Sequence, residues 1–258
     1  MTTDGSMTTD ATPVRTELRG QVLVVTIDRY RRRNAIDRAT ADGLDAAFNR
    51  LDDDPDIRCG ILTGEGVFSA GSDLTANGDY VTARGGEYGL VRRQRSTPLI
   101  AAVEGLALGG GLELVLACDL VVSARDARFG LPEVTIGLVP TCGGLFRGPR
   151  ALPPNVAREL ILVGDPIPAS RAHELGLVNR LTEPGEALAG AVELAERIAR
   201  NAPLAVRLCL AATQQALGPD DLGWAATDAA ATTVRASADA AEGVAAFLGK
   251  RAPVWTGG

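Results

Sequence analysis

Between residues 99 and 122 the chain carries its longest apolar run, LIAAVEGLALGGGLELVLACDLVV, and three carboxylates, Glu104, Glu113 and Asp119, interrupt it. Three acids make a poor membrane span, so a run this apolar is expected to lie at the centre of a folded core. PLIAAVEG (98–105) and DLVVSA (119–124) have the length and composition of buried strands, and a helix begins at the glycine triplet between them. Leu112, Leu114, Val115, Leu116 and Ala117 surround Glu113, which makes this helix apolar on nearly every face. Ionised carboxylates are rarely buried without a partner. Glu113 is therefore either half of a structural ion pair with an arginine or a group whose pKa burial raises, as acid–base catalysis often needs.

The triplet Gly109-Gly110-Gly111 also has two readings. The first N–H groups of a helix are unpaired and carry the positive end of its dipole. Without side chains in the way they form a site for a developing negative oxygen. The alternative is a tight strand-to-helix turn packed on a neighbour.

The remaining segments alternate in the same manner. QVLVVTID (21–28) and CGILTG (59–64) read as buried strands. Residues 37–52 have helical periodicity, with Asp37 as N-cap. Helices are expected near 154–163, 169–175 and 186–200, and residues 75–90, polar and glycine-rich, as a mobile loop. Residues 129–144 read as a long loop with little regular structure. The last fifty residues are alanine-rich and helical, at 204–217, 220–235 and 237–248. Strands alternating with helices indicate an α/β core, and the helical tail indicates a docking or assembly element. The expected division is a disordered tail over 1–13, where MTTD occurs twice, a core over 14–195 and a helical region over 196–258.

The chain has 258 residues and a net charge of −6, so no nucleic-acid partner is expected. Its four cysteines, at 59, 118, 142 and 209, have no metal-ligand spacing and no disulfide pattern. With no secretory signal at the start, a cytoplasmic setting is expected.

Outside the apolar run, GLPEVTIG places a second carboxylate, Glu133, in a loop fixed by Pro132. It is either the partner of another acid across a water or a solvated loop residue. In FSAGSDL, three small residues, Ala70, Gly71 and Ser72, suggest backbone facing a ligand. The only histidine, His173, lies in a polar helix and reads as a surface residue, which leaves Ser72 without a base. GEGVFS begins like a dinucleotide fingerprint but has Ser69 at the third glycine position, and the single lysine, Lys250, precedes Arg251 rather than Ser or Thr. RYRRRNA is either a solvated edge or a set of bidentate donors for a phosphorylated ligand.

Taken together, DRYRRRNAID, ILTGEGVFSAGSDL, PLIAAVEGLALGGGLELVLACDLVV, ARFGLPEVTIGLVPTCGG and AHELGLVNRL resemble the crotonase, or enoyl-CoA hydratase/isomerase, superfamily over residues 18–255. FSAGSDL, LPPNVA and the ending FLGKRAPVW are similar to its carnitinyl-CoA dehydratase branch. The resemblance implies an α/β spiral of β-β-α repeats with a C-terminal helical region that builds homotrimers, often paired into hexamers. It implies an oxyanion hole from the N–H groups of Ser72 and Gly110, which would bind the thioester carbonyl of an acyl-CoA. Glu113 and Glu133 map onto the two hydratase glutamates. Arg31, Arg32, Arg33 and Ala35 would line the CoA pocket with Ala70, Asp73 and Leu74, and Lys250 would reach the CoA of a neighbouring subunit. No cofactor is implied beyond the CoA of the substrate, and no metal. Thr141 stands where the family often has glycine or aspartate, narrowing the site or adding a hydroxyl.

Overall fold

The computed structural model of the chain describes residues 12–76 and 80–257. Residues 1–11, with the repeated MTTD, lie outside it.

The apolar strands assemble as the sequence pattern requires. One six-stranded sheet has the order β1-β2-β3-β6-β8-β11, formed by β1 (Val14–Arg19), β2 (Val22–Ile27), β3 (Cys59–Gly64), β6 (Leu99–Val103), β8 (Leu120–Ala124) and β11 (Arg180–Thr182). β1 pairs antiparallel with β2, and the other pairings are parallel. β1 extends the expected architecture. Its residues VRTELR are mostly exposed, so it lacks the apolar signature of the inner strands. The inner strands are covered on both faces. Leu23, Val25, Ile27, Leu62 and Leu99 face the main core, where Leu44, Phe48 and Leu51 of α1 (Arg38–Asp53) pack. Val22, Val24, Ile61, Ile100 and Val122 face the other way, onto Ala191 and Ala195 of α6 (Ala187–Ala199). The Asp37 side chain accepts from the Thr40 N–H, capping α1 as its position suggests.

A second, three-stranded sheet in the order β10-β9-β7 contains β7 (Leu106–Leu108), β9 (Arg128–Gly130) and β10 (Ile167–Pro168). Ser69 extends it through a bridge to Ala107. Each turn therefore runs from a main-sheet strand to a short strand and on to a helix. β6, β7 and α2 (Gly110–Leu116) make one such turn; β8, β9, the 3-10 turn Glu133–Ile136 and α3 (Gly144–Ala151) make the next. The 129–144 segment thus has more regular structure than its composition suggests, because β9 pairs with β7 and β10 from elsewhere in the chain. α4 (Pro154–Val163) and α5 (Ala169–Glu174) match their expected spans closely.

The expectation of a mobile loop over 75–90 needs correction; positions 77–79 lie outside the described residues. From Tyr80 onward the segment is packed. β4 (Val81–Thr82) pairs with β5 (Gly86–Glu87), and Tyr80, Tyr88, Leu90 and Val91 are buried. The cause is a polar anchor that no local pattern reveals. Asp45 on α1 accepts from Thr82 Oγ1 (2.8 Å), the Gly85 N–H (2.9 Å) and the buried Arg93 (2.6 Å).

α7 (Pro203–Ala216), α8 (Asp221–Arg235) and α9 (Ala238–Leu248) end the chain. α8 lies against α3, where Trp224 meets Phe146 edge-to-face at 5.0 Å and Arg147 pairs with Asp220 at 2.9 Å. α9 lies against the 3-10 turn so closely that a Cβ on Gly243 would be 2.1 Å from the Ile136 carbonyl oxygen. No helix among the described residues is long and apolar enough to cross a membrane.

Candidate active site

The three carboxylates of the apolar run have different fates. Glu104 accepts from the N–H groups of Gly185 and Ala187, at the start of α6. Asp119 pairs with the buried Arg95 at 2.8 Å and accepts from the Leu99 N–H. Glu113, only 2 % exposed, has no cationic partner among the described residues. Its Oε1 accepts from the N–H groups of Cys142 (2.7 Å) and Gly144 (2.9 Å). Gly143 enables this clamp. Its left-handed φ of +99° turns the chain into α3, so that the first amide of that helix points at the acid. Desolvation pushes Glu113 up to about 7 against the pull of those two hydrogen bonds.

Glu133 opens the 3-10 turn after Pro132. Its Oε2 is buried without a hydrogen-bond partner among the described residues, which is uncommon in a folded chain. Burial pushes it up to about 8, and the charge of Glu113 adds to the shift. The carboxyl lies over the glycine triplet, where a Cβ on Gly109 would meet Glu133 Oε1 at 3.2 Å. Gly109 also has φ +54°, a conformation that L side chains rarely adopt.

A Cβ on Gly71 would lie 2.7 Å from the Gly110 nitrogen, so the Ala-Gly-Ser turn rests directly on the triplet. The bridge between Ile36 and Ser72 uses the Gly71 carbonyl and the Asp73 N–H, and the Ser72 amide takes no part. Gly110 is the first residue of α2 and has no preceding turn to bond. Among the described residues neither the Ser72 nor the Gly110 N–H has an acceptor.

All four residues line one cavity of about 1060 Å³, together with Arg33, Ala70, Asp73, Leu74 and Thr141. Two free amides and two carboxyls with raised pKa values in one cavity can stabilise a negative oxygen and move a proton beside it. Arg31, Arg32, Ala35 and Lys250 are not on that wall. Arg31 and Arg32 project outward from the 3-10 turn Tyr30–Arg32. Ala35 is buried, and its carbonyl accepts from Arg29. Lys250 follows α9 on an exposed turn. Asp73 is fixed within the fold by Thr75 and Arg29. His173, as expected, is exposed, and its Nδ1 pairs with the Val178 carbonyl at 2.7 Å.

Several wall residues carry no signal in the sequence. Glu87, Tyr88 and Arg92 come from the anchored 80–95 segment, Cys142 from the clamp, and Asp228, Arg235 and Phe247 from α8 and α9. Only the paired Gly143-Gly144, a helix start in an otherwise irregular stretch, hinted at the clamp.

The enoyl-CoA hydratase/isomerase family model matches residues 17–258. The chain belongs to the enoyl-CoA hydratase/isomerase family. Among curated members of this family, a carnitinyl-CoA dehydratase of Salmonella typhi is 40% identical over 253 residues, covering 92% of this chain and 96% of the relative. A solved carnitinyl-CoA hydratase of Mycobacterium avium superposes with a TM-score of 0.90 at 39% identity, covering 95% of this chain and 99% of the other. An enoyl-CoA hydratase of Mycobacterium tuberculosis H37Rv superposes at 0.78 with 46% identity, covering 96% and 100%. Membership accounts for the β-β-α order and makes the enoyl-CoA hydratase/isomerase scaffold the frame for the cavity.

Proposed function

We propose that this chain is a hydro-lyase that adds water reversibly to a trans-2-enoyl-CoA. The observation that carries the reading is the pair of buried, raised-pKa carboxyls, Glu113 and Glu133, in the cavity that also holds the unbonded amides of Ser72 and Gly110. In this reading the thioester carbonyl accepts from both amides. Glu113, the acid that ionises first, takes a proton from water as its oxygen bonds to the β-carbon. The π electrons move to the thioester oxygen, and the amides hold the resulting enolate. Glu133, still protonated, delivers its proton to the α-carbon. Negative charge on the oxygen is greatest in the transition state, so preformed donors stabilise that state selectively. Burial raises both acids and the charge of Glu113 acts on Glu133, so the roles belong to the pair. CoA enters as part of the substrate. In this reading Arg33, the member of the arginine cluster on the cavity wall, meets its phosphates.

Crotonyl-CoA tests this directly. The wild-type protein should bleach the conjugated thioester absorbance, and Glu133→Gln should abolish the bleaching. A protein inert on short and medium 2-enoyl-CoAs but active on a 3-enoyl-CoA is an isomerase instead, with one carboxylate shuttling the proton and no water added.

The helical C-terminal region, 196–258, is proposed as the assembly element. α7 buries none of its residues within the chain, and Leu204, Leu208 and Leu222 are largely exposed. Apolar exposure of this kind marks an interaction face. Light scattering should give three or six chains per particle, and Leu204→Asp with Leu208→Asp should shift the population to the single chain.

A further inference from the structure

Tyr88 is the only aromatic residue with a left-handed backbone among the described residues, at φ +56°. A bulky side chain is strained there and persists only where the surroundings impose it. Here they do. Asp45 ties down Thr82 and Gly85, the Tyr88 N–H donates to the Tyr80 carbonyl, and the Tyr80 and Tyr88 rings stack at 6.2 Å.

The strained turn points the phenol at the reaction centre. Tyr88 Oη is 2.5 Å from Ser72 Oγ. A Cβ on Gly110 would lie 2.3 Å from the same oxygen and 2.7 Å from Cζ. The hydroxyl therefore sits between the two residues that have free amides, with Cys142 and Glu113 as its other neighbours. Burial pushes the phenol well above its usual range, so it stays protonated and able to donate. A serine hydroxyl without a fixed partner bonds readily to its own or neighbouring backbone groups.

We infer that Tyr88 is a positioning residue for the thioester-oxygen site: its phenol holds Ser72 by the side chain and fills the space over Gly110, so that both amides stay open toward one oxygen. This rests on the hydratase reading above. The proposal separates the Ser72 side chain, which orients, from the Ser72 amide, which binds. It also explains why position 110 is glycine although no positive φ is recorded there.

Tyr88→Phe, Ser72→Ala and the double variant test it. Each single change removes the same hydrogen bond and keeps the Ser72 amide. Each should lower kcat on crotonyl-CoA about tenfold while leaving the affinity for free CoA unchanged, and the double should be no worse than either single. A bound 3-oxoacyl-CoA supplies a second readout: the wild-type site should raise its enolate absorbance, and both single variants should lose that signal. Wild-type kcat and enolate absorbance in Tyr88→Phe, even with a lower melting temperature, would mean a packing role and overturn the inference, as would additive losses in the double. If Tyr88→Phe does not fold, Ser72→Ala breaks the bond from the other side and decides the matter. A wild-type protein that hydrates no enoyl-CoA removes the proposed function, while the enolate signal, which needs only a bound carbonyl, still tests Tyr88.

Discussion

Glu113→Gln should lower kcat/KM on crotonyl-CoA by about 10²–10⁴, the range for loss of a positioned general base. The change keeps size and polarity, and the amide oxygen can still accept from Cys142 and Gly144, so the fold should be retained. The pH dependence is the more specific part. On the proposed mechanism the competent state of the wild type is the singly protonated pair. Below about 7 Glu113 gains a proton and the base is lost; above about 8 Glu133 loses its proton and the acid is lost. A bell-shaped profile of kcat/KM with limbs near those values should result. In Glu113→Gln the acid limb should vanish from the residual activity. The alkaline limb should move to lower pH, because the ionised Glu113 that helps hold the Glu133 proton is gone. An unchanged acid limb in Glu113→Gln would show that another group sets it.

Gly111→Ala should do nearly as much damage through geometry alone. No positive φ is recorded at Gly111, so an alanine fits the local backbone. Space is what forbids it. The added Cβ would lie 2.2 Å from the Ser69 carbonyl oxygen, a main-chain atom fixed by the bridge to Ala107 and by the Leu108 N–H. The start of α2 would have to move away, taking the Gly110 amide and Glu113 with it. Overpacking of this kind costs about 1–3 kcal/mol. For a chain of this size that is a fall of roughly 2–12 °C in Tm. A displacement near 1 Å at a reacting centre costs about a hundredfold in rate. Scanning calorimetry and crotonyl-CoA turnover on the same preparation should show both losses together. Full activity with a lowered Tm would separate the glycine's packing role from the site.

The parallel strands are legible because burial on both faces leaves near-continuous apolar runs, as at 22–27, 59–64 and 99–103. The last helices are legible for a different reason, their alanine-rich composition. β1 is not, because an exposed edge strand needs no apolar face. The 80–95 segment is not, because its order comes from Asp45, about forty residues earlier in the chain, and from a buried arginine. Composition can report that a stretch is polar and glycine-rich, but not that its polar groups have found buried partners.

The sequence by itself determined the alternating α/β architecture and narrowed the chemistry to a few short segments, because hydrophobic burial and glycine placement are written into local order. For Glu113 it left two readings open, half of an ion pair with an arginine or an acid whose pKa burial raises, and it assigned no partner to Glu104 or Asp119. Tertiary structure separated them. Glu104 is spent on the start of a helix, Asp119 on Arg95, and Glu113 is held by hydrogen bonds from Cys142 and Gly144 with no ion-pair partner among the described residues. A residue's pKa depends on what surrounds it in space, and the groups around Glu113 arrive from a turn some thirty positions further along the chain.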